Sequence, residues 1–147
     1  MARKIKLVAQ AAVGTDGDDI LIGSNREDQP GDVLDGGAGN DYLNPFQGAD
    51  SLTGGSGSDI FHFDSWAASN VTYGVDTITD FSGTEGDKLY LSSIKHYNMD
   101  GSVRALDWSD VSFSGDTMNV SVVEGDNRWD VSVVVLGEVP TVNDMVF

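Results

Sequence analysis

Asp19, Asp41 and Asp59 each close a loop of the form G-x-x-G-x-D, written GTDGDD, GGAGND and GGSGSD. The last two aspartates lie eighteen residues apart, and Asp50 stands midway between them. A single aspartate binds a cation poorly. The same residue repeated in register on stacked loops builds a cage of hard oxygens, the donor type that suits calcium with its six to eight oxygen ligands. The glycines flanking each aspartate are expected at the first, second and fourth loop positions to take positive φ and draw carbonyls together.

The elements that position these loops follow from what comes after each aspartate. A unit of Asp, any residue and a large apolar residue starts at Asp19, Asp32, Asp41, Asp50, Asp59, Asp76 and Asp87. From Asp32 to Asp59 its period is nine, with four extra residues after the first unit and eight, Phe63–Asn70, after the fifth. On a very short strand, a residue two places after the aspartate points into the interior. One nonapeptide then makes half a coil and two complete a turn of a parallel β-helix, and the spacing counts seven turns with loops where the register breaks. A Gly/Asp-rich segment is ordinarily a flexible loop, but three registered loops with a constant apolar position exclude that reading. No helix pattern follows the glycines and repeated carboxylates would repel a pyrophosphate, so a dinucleotide site is excluded as well.

These residues resemble the RTX family, whose repeat is G-G-x-G-x-D-x-U-x with U large and apolar. The resemblance is specific over residues 14–62 and weaker over 73–90. It implies a right-handed parallel β-roll that binds several calcium ions, roughly three to five, between loops on the same side. One side then pairs Asp19 with Asp41, Asp41 with Asp59 and, further on, Asp87; the other pairs Asp32 with Asp50 and Asp50 with Asp76. The ligand set so implied is Gly14, Asp16, Asp18 and Asp19; Gly36, Ala38, Asn40 and Asp41; Gly54, Gly55, Ser56, Gly57 and Asp59; with Asp32, Asp50, Asp76, Asp80 and Asp87. The interleaved loops read EDQPGD over 27–32 and PFQGAD over 45–50, placing Glu27, Pro30 and Pro45 where the family has glycine. Proline fixes φ near −65°, so tight binding is expected on the first side and weak, altered or absent ions on the second.

Composition agrees. Asp outnumbers Glu 20 to 4, and the net charge is −16. With Arg3, Lys4 and Lys6 set aside, five cations face 24 carboxylates. Such self-repulsion opposes the compact state until cations relieve it, and it excludes nucleic acid as a partner. There are no cysteines, so metal must do the work of disulfides if the chain is secreted. No run of 18 apolar residues exists to span a membrane. The segment Met1–Val13 is basic and carries Ala9-Gln10-Ala11, but its apolar stretch is short and interrupted. It reads as a linker, an expression remnant or a first capping strand.

The remaining sequence is β structure of another kind. Met118, Val120 and Val122 alternate with polar residues, and after Glu124–Asn127 so do Trp129, Val131, Val133 and Val135, as a hairpin requires. Val111–Phe113 suggests a further strand, and Ser92–Trp108 has room for a short helix. The expected organisation is an all-β chain: a flank over 1–13, the roll over 14–90, and an antiparallel β cap over 91–147 that covers the roll's open edge.

Phe61-His62-Phe63, Asp76–Phe81 and Gly86–Ser92 are similar to the passage following the roll in serralysin-type C-terminal domains and in alginate-epimerase R-modules. The final Asp144-Met145-Val146-Phe147 is similar to the uncleaved signal read by type I secretion machinery. The resemblance therefore implies a secreted, extracellular, monomeric module without catalysis, the C-terminal part of a larger secreted protein or a small stand-alone relative. With no H-E-x-x-H and with His62 and His96 far apart, both histidines read as structural or solvated. At extracellular calcium of several millimolar, each site of about 0.1–1 mM Kd adds roughly 1–2 kcal/mol, so calcium acts as a folding switch. The alternative reading is a polysaccharide-binding accessory module, with Trp66, Tyr73, Tyr97 and Trp108 available for stacking and Arg26, Lys88, Lys95, Arg104 and Arg128 as cations.

Overall fold

The computed structural model describes residues 3–6, 11–24, 31–63, 74–91, 95–97, 102–124 and 127–147, with backbone alone for 3–6, 95–97, 122–124 and 127–131. Its strands are β1 (Arg3–Lys6), β2 (Ala12–Val13), β3 (Asp19–Ile22), β4 (Val33–Ala38), β5 (Tyr42–Asn44), β6 (Ser51–Ser56), β7 (Ile60–His62), β8 (Asp76–Phe81) and β9 (Lys88–Tyr90). They continue as β10 (Lys95–Tyr97), β11 (Val103–Ala105), β12 (Val111–Ser114), β13 (Thr117–Glu124), β14 (Asn127–Gly137) and β15 (Met145–Val146). No α-helix occurs among the described residues, so none there is long and apolar enough to cross a membrane.

From β2 to β9 the chain alternates between two parallel sheets, two strands to each turn. One sheet has the order β1-β3-β5-β7-β9-β15, and the other runs β2-β4-β6-β8-β14 before continuing into β13, β10 and β11. This is the β-roll the nine-residue period implies. Its register is the sequence repeat itself: Leu21 pairs with Leu43, Leu43 with Phe61 and Phe61 with Leu89 on one sheet, and Leu34 with Leu52 and Leu52 with Ile78 on the other. All seven of these side chains are fully buried. Each contributes about 1.5–3 kcal/mol by leaving water, while their neighbours in sequence face outward.

The roll reaches beyond residues 14–90 at both ends. Arg3–Lys6 pairs in parallel with Asp19–Ile22, and Ala12 is buried opposite Leu34. Arg3–Lys6 and Ala12–Val13 therefore supply the first strands of the stack. At the other end, β14 is eleven residues long and lies between β13 and β8, antiparallel to the first and parallel to the second. β15 then pairs with β9 and completes a last turn. The region expected as a separate cap thus continues the roll's own sheet, which leaves the edge of β8 covered. β10 and β11 pair antiparallel, and a 3-10 turn follows at Trp108–Asp110; of the stretch Ser92–Trp108, where the sequence has room for a short helix, residues 92–94 and 98–101 lie outside the described residues. The insertion over 64–70 lies outside the described residues.

Candidate metal centre

The repeated aspartates form two ladders. The N–H of Asp19 donates to Asp41 Oδ1 at 2.7 Å, that of Asp41 to Asp59 Oδ1 at 2.8 Å, and that of Asp59 to Asp87 Oδ1 at 2.9 Å. On the opposite side, Asp32 donates to Asp50 Oδ1 at 2.6 Å and Asp50 to Asp76 Oδ1 at 2.9 Å. The parallel register places each aspartate one turn above its counterpart, so the two sets the resemblance implied are the two sets the fold brings together. All seven carboxylates are buried.

One oxygen of each interior carboxylate is left over. Asp41 Oδ2, Asp50 Oδ2 and Asp59 Oδ2 are buried without a hydrogen-bond partner, as is Asp19 Oδ1 at the start of its ladder. A buried charged oxygen with no donor is costly unless a cation neutralises it. No group of three or more carboxylate or imidazole side chains converges among the described residues. A cation held here would therefore draw on loop carbonyls as well as on carboxylates, as a hard cation with many oxygen ligands can.

Glycine does two separate jobs in these loops. Positive φ occurs at the second and fourth positions, at Gly37 and Gly39 and again at Gly55 and Gly57. The first glycine does not take positive φ, contrary to the sequence expectation. It is required for space: a Cβ on Gly36 would collide with Asp41 Oδ2, and one on Gly54 with Asp59 Oδ2. Loop 14–19 has no positive φ at all. There Asp19 Oδ2 accepts both the N–H of Thr15 at 2.5 Å and its hydroxyl at 2.8 Å.

The physical premise for two unequal sides is corrected by the backbone. Pro45 sits at a first position, where no positive φ is needed, and loop 45–50 reproduces positive φ at its second and fourth positions through Phe46 (64°) and Gly48 (149°). In the loop ending at Asp32, the first position is held by Gly23 rather than Glu27. Gly23 donates to Asn44 O, a Cβ on it would collide with Pro45 O, and Ser24 N–H donates to Asp32 Oδ2 at 2.5 Å. The four-residue insertion thus lies inside the loop; Glu27 and Pro30 lie outside the described residues.

The sides do differ at the fifth position. Asn40 N–H donates to Asp18 Oδ1 at 2.8 Å, Ser58 N–H to Asn40 Oδ1 at 2.9 Å, and Ser58 Oγ to Gly86 O at 2.7 Å. The first two of these bonds run with the opposite polarity to the aspartate ladder, and the three together tie the outer rims of four loops. The other side has Gly31, Ala49 and Val75 there, which carry no such group. The side-chain oxygens of Asp18 and Asn40 are therefore partnered by backbone, and Asp16 is exposed. Thr15 O accepts from Ala38 N, and Ser56 O from Gly39 N. Asp80 holds the N–H groups of Gly54 and Gly55 with its two oxygens, at 3.0 and 2.8 Å.

Burial and mutual repulsion leave five of the ladder carboxylates, Asp41, Asp50, Asp59, Asp76 and Asp87, reluctant to ionise. Burial raises the pKa of Asp41 and Asp87, and pushes Asp50 and Asp59 up to about 6 and Asp76 to about 8. The backbone N–H each accepts pulls the other way without winning. Neighbouring aspartates add to the rise, so the arrangement holds negative charge that a bound cation would relieve.

Elsewhere, charges are satisfied locally. Lys88 Nζ lies 3.2 Å from Asp144 Oδ1, and Arg104 forms a bidentate pair with Asp110 at 2.6 and 2.7 Å. Asp144 also accepts from Thr141 N–H and Oγ1, and Glu138 accepts from Thr84 N–H and Oγ1. His62 stacks on Tyr42 with centroids 5.6 Å apart, and its Nδ1 lies 3.1 Å from Asn44 Nδ2. Trp108 packs near Phe113. Trp66, Tyr73 and Arg26 lie outside the described residues.

Two solved structures share this architecture. The R3 subunit of the mannuronan C5-epimerase AlgE6 from Azotobacter vinelandii is 27% identical, with a TM-score of 0.61 over 94% of this chain and 77% of its own. The R2 subunit of the same enzyme is 25% identical, with a TM-score of 0.53 over 94% of this chain and 92% of its own. No curated protein sequence matches. The family described as Peptidase M10 serralysin C terminal matches residues 2–147, and the chain, with its aspartate ladders on a parallel β-roll, belongs to that family.

Proposed function

We propose that this chain is a calcium-binding RTX module of a secreted protein, folding when it meets extracellular calcium and lacking catalysis of its own. The observation that carries this reading is the set of buried carboxylate oxygens without partners on Asp41, Asp50 and Asp59. They stand on loops whose glycines leave no room for a side chain, and the donor set of hard oxygens fits calcium. When bound, the ion supplies positive charge between stacked loops. The residues holding it would be the ladder aspartates with the carbonyls of loops 36–41, 45–50 and 54–59.

Folding and export are linked in this reading. With calcium scarce, repulsion among 24 carboxylates keeps the chain open and threadable. The segment Asp144–Phe147, the proposed contact for type I secretion machinery, is then accessible. In the folded state Asp144 and Met145 are buried and β15 is paired with β9, so the same segment becomes the last strand of the roll. Deleting Asp144–Phe147 is expected to abolish export of the protein; undiminished export would remove that part of the reading.

A role in gripping an acidic polysaccharide finds less support. Lys88 and Arg104, the two side chains described among the five candidate cations, are both ion-paired. The direct test of the main reading is equilibrium dialysis of chelator-stripped protein against millimolar calcium, with ions counted. Several ions per chain are expected, and none would refute it.

A further inference from the structure

Five loops can be compared at their second position, and they fall into two groups. Gly37, Phe46 and Gly55 have positive φ, and the aspartates that close their loops, Asp41, Asp50 and Asp59, each keep Oδ2 free. Thr15 and Ser24 do not have positive φ, and the N–H of each donates to Oδ2 of its own loop's aspartate, at 2.5 Å to Asp19 and 2.5 Å to Asp32. The correspondence has no exception among these loops. Positive φ turns the second peptide N–H away from the carboxylate, and ordinary φ turns it on.

In two of the open loops, a specific group holds that N–H away. Gly55 N–H is taken by Asp80 Oδ2 at 2.8 Å, and Phe46 N–H by Asn44 Oδ1 at 3.2 Å. Phe46 is the only described non-glycine residue at positive φ. A bulky residue there is a backbone outlier, and an outlier maintained beside a buried unpartnered carboxylate points to a functional constraint.

We propose that the second loop residue is a gate deciding which carboxylates can take a cation, so that Asp41, Asp50 and Asp59 are open and Asp19 and Asp32 are closed by their own loops. This rests on the calcium reading above and specifies which carboxylates serve it. Asp19 Oδ1, unpartnered, is an end-of-ladder atom: the later rungs use that oxygen to receive the preceding aspartate's N–H, and at that register β1 carries Arg3. The site expected to be degenerate, at Asp50, is in this account a working one, kept open by Phe46 with Asn44 and His62 behind it.

The test is calcium calorimetry on the whole chain, comparing the wild type with Phe46→Gly, Phe46→Val and Thr15→Gly. Glycine adopts positive φ freely, whereas a larger residue resists it by an amount worth about five- to thirtyfold in an equilibrium. Phe46→Gly is therefore expected to tighten one class of site by about that factor. Phe46→Val, β-branched, is expected to close the loop and lose one ion. Thr15→Gly is expected to release Asp19 Oδ2 and add one ion. Should the valine variant fail to fold, the other two still decide the matter. Unchanged or weaker binding in Phe46→Gly together with an unchanged ion count in Thr15→Gly would overturn the gate. A wild type that takes up no calcium would instead refute the calcium reading beneath it.

Discussion

Asp41 Oδ1 accepts the backbone N–H of Asp19, twenty-two residues earlier in the chain, at 2.7 Å. The carboxylate that offers a free oxygen toward a cation is thus also the clamp between successive turns. These two roles separate by mutation. Asp41→Asn keeps an oxygen for the clamp and removes the charge, so in chelator it is expected to hold more β structure than wild type, and in calcium to unfold at lower denaturant. Asp41→Ala abandons the buried N–H and is expected to cost about 1–3 kcal/mol in calcium with no gain of β structure in chelator. Urea midpoints of the three proteins in calcium, and their circular dichroism in chelator, check the pattern.

Protons should partly substitute for calcium. The folded-state pKa values of Asp50, Asp59 and Asp76 lie above the unfolded value of 3.8, at about 6, 6 and 8, because burial disfavours the charged forms. The folded state therefore binds more protons than the unfolded one between these values. The stabilisation this gives is complete below pH 3.8 and is lost as pH rises through 6 to 8. In chelator, the folded fraction seen by circular dichroism is expected to fall steadily from pH 5 to pH 8. In calcium the order reverses, since protons compete for the same oxygens.

Asp80 acts on the site without being a free ligand. Its oxygens are both engaged by Gly54 and Gly55. Asp80→Ala is expected to raise the calcium midpoint severalfold while leaving the number of bound ions unchanged. Loss of an ion would show that Asp80 is a ligand instead.

The inward column is a separate contribution. Leu43 is fully buried between Leu21 and Phe61. Leu43→Ala is expected to cost about 2–5 kcal/mol, measured as a lower denaturation midpoint at saturating calcium with ion stoichiometry preserved.

Much of this was legible in the sequence because the repeat states the register directly. The nine-residue beat marked Leu21, Leu34, Leu43, Leu52 and Phe61 as inward residues, and the family resemblance implied the same-side sets of aspartates that the ladders join. What escaped was set by dihedral angles and not by residue type. Proline at position 45 looked prohibitive until the backbone showed that its position needs no positive φ, while Phe46 gave no sign of adopting one. Gly23 was hidden by the insertion that follows it. The merging of the hairpin into the roll through β14 was also beyond reach, since alternation in β14 predicts a strand but not which strands flank it.

The central claim is that calcium completes this fold, and far-UV circular dichroism tests it most directly. The purified chain would be recorded in chelator and then titrated with calcium into the millimolar range. The account predicts a disordered spectrum that converts cooperatively to β structure. A chain already fully β in chelator, with no change on adding calcium, would contradict it.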